Sequence, residues 1–92
     1  MIKAYCTAIT GATTVVHDGP CVIYGVSLAR SAAAELIVYN HASATTNPVF
    51  ELRTTGESPA DRARIPSDGY FFSNGCYVTR SAGTGKVMWY PA

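Results

Sequence analysis

The sequence predicts an all-β fold: one small antiparallel β-sandwich of seven to eight strands, jelly-roll-like, with residues 1–92 as a single domain. Three observations carry this. Apolar and polar residues alternate with period two in short β-branched and aromatic runs, as on strands that bury one face. Turn residues separate those runs at roughly the 8–12-residue spacing of sandwich folds. No segment longer than a turn or two keeps the 3.6-residue period of an amphipathic helix.

In chain order, residues 2–9 set Ile2, Ala4, Cys6 and Ala8 on one face against Lys3, Tyr5, Thr7 and Ile9, and turn at Gly11. Residues 13–17 form a β-branched strand closed by Asp18-Gly19-Pro20, where glycine accepts positive φ and proline withholds a ladder donor. The stretch over 20–40 organises the rest: a strand at 21–28, a small-residue turn from Ser31 to Ala34 and a strand at 35–39, together read as a central hairpin. On its first strand Val22, Tyr24, Val26 and Leu28 are expected on the core face. Its second strand is apolar at almost every position, so both faces need cover.

Residues 40–48 lack an apolar period and end in Asn47-Pro48, a loop signal. Alternation resumes at 49–54, with Phe50 and Leu52 on one face and Val49, Glu51 and Arg53 on the wetter one. Residues 56–68 are the longest irregular stretch and hold five of the thirteen charged residues. Loops of that length in small domains are usually functional or mobile. Short strands follow at 69–72, 76–80 and 86–90, separated by the tight-turn signal Asn74-Gly75 and by residues 81–85, read as a hairpin turn. Trp89 is assigned to the core with Val87, opposite Met88 and Tyr90.

Composition narrows the function classes. Hydrophobic residues make up 48% and charged residues 14%, with seven basic side chains against six acidic. No basic stripe is present to neutralise phosphates, so no direct nucleic-acid binding is expected. No apolar run approaches the ~20 residues of a membrane span, and residues 1–10 lack signal-peptide order, so no membrane contact and cytoplasmic synthesis are expected. The odd cysteine count, Cys6, Cys21 and Cys76, without a C-x-x-C pair, argues for buried thiols over a disulfide framework or zinc site. No cofactor and no metal are expected.

No catalytic constellation emerges. His17 and Asp18 are strand neighbours whose side chains point to opposite faces, and His41 stands in a polar loop. Gly83-Thr84-Gly85-Lys86 resembles the tail of a phosphate loop but has Arg80 where the first glycine belongs and Val87 at the Ser/Thr position. Glu57, Asp61 and Asp68 have no spacing that fixes them as an acid–base pair. The pointed features are instead those of an interface. Arg62 and Arg64 beside Asp61 suit bidentate pairing with carboxylates of another chain, against the plainer expectation of a local Asp–Arg salt bridge. In Tyr70-Phe71-Phe72, alternation sends Phe71 to the side opposite its neighbours, so something has to cover both sides. The interface residues are thus Glu57, Asp61, Arg62, Arg64, Tyr70 and Phe71.

Several of these segments together resemble small β-rich virion proteins of tailed bacteriophages, the capsid decoration or cement proteins and their head-fibre relatives. The resemblance rests on Gly19-Pro20-Cys21, Val26-Ser27-Leu28, the strand Leu36 to Asn40 with its Ala/Ser/Thr loop, Ile65-Pro66, Asp68-Gly69-Tyr70, the run Asn74 to Val78 and the closing Val87 to Tyr90. It implies a non-enzymatic protein, commonly a homotrimer, made in the host cytoplasm and seated on the virion's capsid surface, where it clamps neighbouring major capsid protein subunits. The alternative is a tail- or fibre-associated glycan-binding or adaptor module that stacks sugars on Tyr70, Tyr77 or Tyr90.

Overall fold

The computed structural model describes residues 4–92, in nine strands and no helix. These are β1 (Tyr5–Ile9), β2 (Thr13–His17), β3 (Cys21–Ala29), β4 (Ala34–Tyr39), β5 (Pro48–Thr54), β6 (Ala60–Arg62), β7 (Tyr70–Phe72), β8 (Cys76–Arg80) and β9 (Thr84–Pro91). They form two antiparallel sheets, as the alternation predicted. The first has the order β1-β9-β3-β6 with β7 also on β3, and the second β2-β8-β4-β5. Residue 2, where the first strand was expected to begin, lies outside the described residues.

Pairing is nested along the chain: β4 with β5, β3 with β6 and β7, β2 with β8, and β1 with β9. A two-stranded ribbon folded at residues 40–47 and wrapped on itself gives this order. The further pairs β3·β9 and β4·β8 join its turns side by side.

Among the described strands, only β4 and β5 are both consecutive and paired. The expected central hairpin is therefore corrected: β3 and β4 lie in opposite sheets, and residues 30–33 cross between them. Both strands carry an apolar face, and placing them on either side of the interior buries both. The crossing satisfies its polar groups elsewhere, through Arg30 N–H to the Pro59 carbonyl at 2.8 Å and Thr54 Oγ1 to the Ala32 carbonyl at 2.9 Å. Residues 81–83 likewise cross between sheets instead of closing a hairpin, and β9 already begins at Thr84. Residues 73–75, where the Asn74-Gly75 tight turn was expected, also cross between sheets, from β7 to β8; Gly75 takes positive φ, at 132°, but Asn74 does not.

The core face of β3 is also corrected. Its buried residues are Cys21, Ile23, Val26 and Leu28, while Tyr24 is exposed. A bulge against β9 between Ile23 and Gly25 inserts one residue and flips the alternation, so the expectation held only for Val26 and Leu28. On β5 the inward Leu52 and outward Glu51 and Arg53 match the expected faces.

Residues 56–68 are not irregular throughout. β6 pairs with Ser27–Ala29, and β7 pairs with Cys21–Ile23 on the same side of β3. The two form one edge strand interrupted by residues 63–69. The interruption turns at Pro66, whose carbonyl accepts the Gly69 N–H at 2.9 Å, with Gly69 at φ 88°.

The interior is filled by Ile9, Ile23, Leu28, Leu36, Val38, Phe72, Val78 and Val87, all at most 1% exposed. Each contributes about 1.5–3 kcal/mol of burial. Trp89 joins them at 8% exposure; its Nε1 donates to Thr7 Oγ1 at 2.9 Å and its ring stacks on Tyr5 at 4.8 Å. At one end of the sandwich the Arg80 guanidinium donates to the carbonyls of Thr10, Gly11 and Gly83, tying two inter-strand loops together.

Candidate functional site

The outer face of the first sheet is the most unusual surface of the molecule. Period two and the ladder registers place its side chains in three cross-strand rows. Phe71, Val22 and Tyr90 form the first, since Val22 pairs with both others. Tyr24 at the bulge, Met88 and Cys6 form the second. Arg62, Ser27, Lys86 and Ala8 form the third.

Two rows are thus apolar and the third carries cations. Phe71 is 55% exposed, Tyr24 39% and Met88 38%, so large apolar groups cluster where a solvated sheet would carry polar ones. Tyr24 and Tyr90 lie ring to ring at 6.1 Å. Gly25 keeps the middle row flat: a Cβ there would collide with the Met88 methyl. The outer face of the second sheet is mixed: it carries the Glu35–Arg53 ion pair at 3.1 Å, Glu51 and the Tyr39–Thr79 hydroxyl pair at 3.4 Å, and also Ile37 and Val15, which is 50% exposed beside Tyr77.

A groove of about 1020 Å³ adjoins this face, between residues 61–66 and β3, with Tyr24, Ser27, Arg62, Arg64, Ile65 and Met88 along it. Arg62, Arg64 and Lys86 are exposed, and none has an ion-pair partner among the described residues. The acid among them is already engaged. Asp61 Oδ2 accepts the Arg53 N–H at 3.0 Å and Oδ1 the Arg62 N–H at 2.9 Å, in place of the expected Asp–Arg salt bridge.

The six interface residues are therefore only partly brought together. Asp61, Arg62 and Arg64 line the groove, and Phe71 stands on the apolar face. Tyr70 turns the other way, edge-on to Phe50 at 5.5 Å and Phe72 at 5.6 Å, and closes the rim of the core. Glu57 is exposed in the β5–β6 connection, away from the groove lining. The residues missed were Val22, Tyr24, Lys86 and Met88, while Tyr90 entered only the glycan reading. Their signal was present in β9, where Val87 and Trp89 fill one side while Met88 and Tyr90 leave the other apolar. The tyrosines of the glycan reading are not on one surface: Tyr77 stands beside Tyr39 on the second sheet.

Cys21 and Cys76 are fully buried, whereas Cys6 is exposed, correcting the expectation of three buried thiols. Burial pushes the Cys21 thiol up to about 11, and pushes Cys76 up as well, reinforced by Cys21 nearby. His17 packs its ring on Trp89 at 4.7 Å. His41, half-buried where exposure was expected, accepts the Ser43 and Ala44 N–H groups on Nδ1, each at 3.0 Å. No three His, Cys, Asp or Glu side chains gather as metal ligands among the described residues. Compared with known proteins, the chain matches no family model and no curated sequence.

Proposed function

We propose that this chain is a non-enzymatic structural protein of a bacteriophage virion, a capsid decoration protein that binds at junctions between major capsid protein subunits. The observation that carries the reading is the outward apolar face of the first sheet, with its cationic third row. Such a surface is stable when covered by protein, and at a capsid junction it would add contact area that resists internal pressure. The nested strand order supports a jelly roll, the two-Greek-key wrap found in viral capsid and lectin domains. The homotrimer implied by the resemblance is the assembly from which this reading starts.

Co-sedimentation with shells assembled from the major capsid protein of the same virion is the test. The wild type is expected to pellet with the shells, and the Arg62→Ala/Arg64→Ala double variant to occupy fewer sites while unfolding at an unchanged temperature. A wild type that stays in the supernatant would overturn the reading. The paired rings of Tyr24 and Tyr90 favour one other function, sugar stacking by a fibre module, for which selective glycan-array binding lost in Tyr24→Ala is the expected sign.

A further inference from the structure

We infer that the outer face of the first sheet pairs with the same face of a second copy, across a two-fold axis running along the row of Tyr24, Met88 and Cys6. The argument is self-complementarity. An axis in the contact plane and parallel to the rows preserves position across the strands and inverts it along them. It therefore exchanges the first and third rows of the two copies.

Strand by strand, this brings Arg62 of one copy over Phe71 of the other, both on the edge beside β3. It brings Lys86 over Tyr90, both on β9, two residues either side of Met88. Each cation thus meets an aromatic ring, in four symmetry-related contacts, and no like charges from the third rows are opposed. Cation–aromatic contacts of this kind strengthen as they lose water. Ser27 falls over Val22, and the middle row packs on itself. A two-fold axis along the strands would instead lay third row on third row, gathering Arg62 and Lys86 of both copies in one band with no aromatic ring to meet.

A standard contact takes about 800 Å² per partner, under a sixth of this molecule's 5212 Å² surface. Two sheets also pack face to face with strand directions within about 30°, close to the alignment this pairing needs. The contact is isologous and closes at two copies, so a homotrimer would have to be built from another surface. The inference takes the same face that carries the decoration reading, so in a dimer that binds a shell this face belongs to the second copy and the shell contact falls to other surfaces.

Cys6 provides the test. It lies in the row on the axis, on β1, so the Cys6 thiols of the two copies face one another while Cys21 and Cys76 stay buried. Treating the purified protein with a short bismaleimide is expected to give a covalent dimer that Cys6→Ser abolishes. Native mass spectrometry is expected to show even-numbered assemblies. The Arg62→Glu/Lys86→Glu variant, altered only at exposed positions, is expected to raise the dimer dissociation constant at least tenfold with its unfolding temperature retained. A monomer at all concentrations, a trimer, or a dimer that Cys6 does not cross-link would overturn the inference. None of these outcomes depends on shell binding, so failure here and failure of the decoration reading are told apart.

Discussion

Asp61 Oδ2 accepts the backbone N–H of Arg53 at 3.0 Å, so one carboxylate on the edge strand of the first sheet closes the edge of the second. Its other oxygen takes the Arg62 N–H at 2.9 Å. An open β5 edge would otherwise offer that donor to another chain. Asp61→Ala should cost about 1–2 kcal/mol, read as a lower urea midpoint, since two charge-assisted bonds are lost in a partly solvated setting. Asp61→Asn should cost less, because its amide oxygen can still accept one of them.

Arg80 closes the opposite kind of gap. Its guanidinium holds the carbonyls of Thr10, Gly11 and Gly83, which belong to connections far apart in sequence. Arg80→Met keeps the stem and removes the donors, so a loss of about 1–3 kcal/mol is expected in chemical unfolding. Arg80→Lys should recover only part of this, because an ammonium cannot reproduce the planar fork.

These two clamps show where sequence reading reached its limit. Alternation located eight strands because burial on one face leaves a period in the chain. It did not reveal which strands pair, since a four-residue connection such as 30–33 serves a crossing between sheets as readily as a hairpin. The face of β3 was misread at Tyr24 because one bulged residue inverts the parity of everything before it. β6 was missed because three residues, two of them charged, carry no period. The apolar outer face was legible in part, through Phe71, and the rest needed the registers that set Val22, Tyr24, Met88 and Tyr90 side by side.

The buried thiols predict a pH dependence. Cys21 ionises at about 11 in the folded chain against an ordinary 9.0, and Cys76 is displaced in the same direction. Above pH 9 the unfolded chain releases these protons while the folded chain keeps them. The stability contributed is therefore complete below pH 9 and is lost as pH rises through the folded values. Each thiol lowers stability by about 1.4 kcal/mol per pH unit in that window. Unfolding midpoints measured from pH 8 to 11 should fall, and Cys21→Ala/Cys76→Ala should flatten the slope. At pH 8, a thiol reagent should label Cys6 alone until the chain is unfolded.

Gly25 separates folding from association. Its missing side chain lets Met88 lie flat in the middle row. Gly25→Val should displace that flexible, partly exposed thioether with a stability loss of less than about 1 kcal/mol. The displaced methyl roughens the contact plane, so self-association should weaken about tenfold or more by analytical ultracentrifugation.

The most direct measurement is native mass spectrometry of the wild type and Met88→Arg across a dilution series, because the central claim is that this sheet face is covered by a second copy. The account predicts a wild-type dimer that persists into the low micromolar range and a monomeric Met88→Arg protein that unfolds at the wild-type temperature. A wild type that is monomeric throughout, or assemblies that Met88→Arg leaves intact, would contradict it.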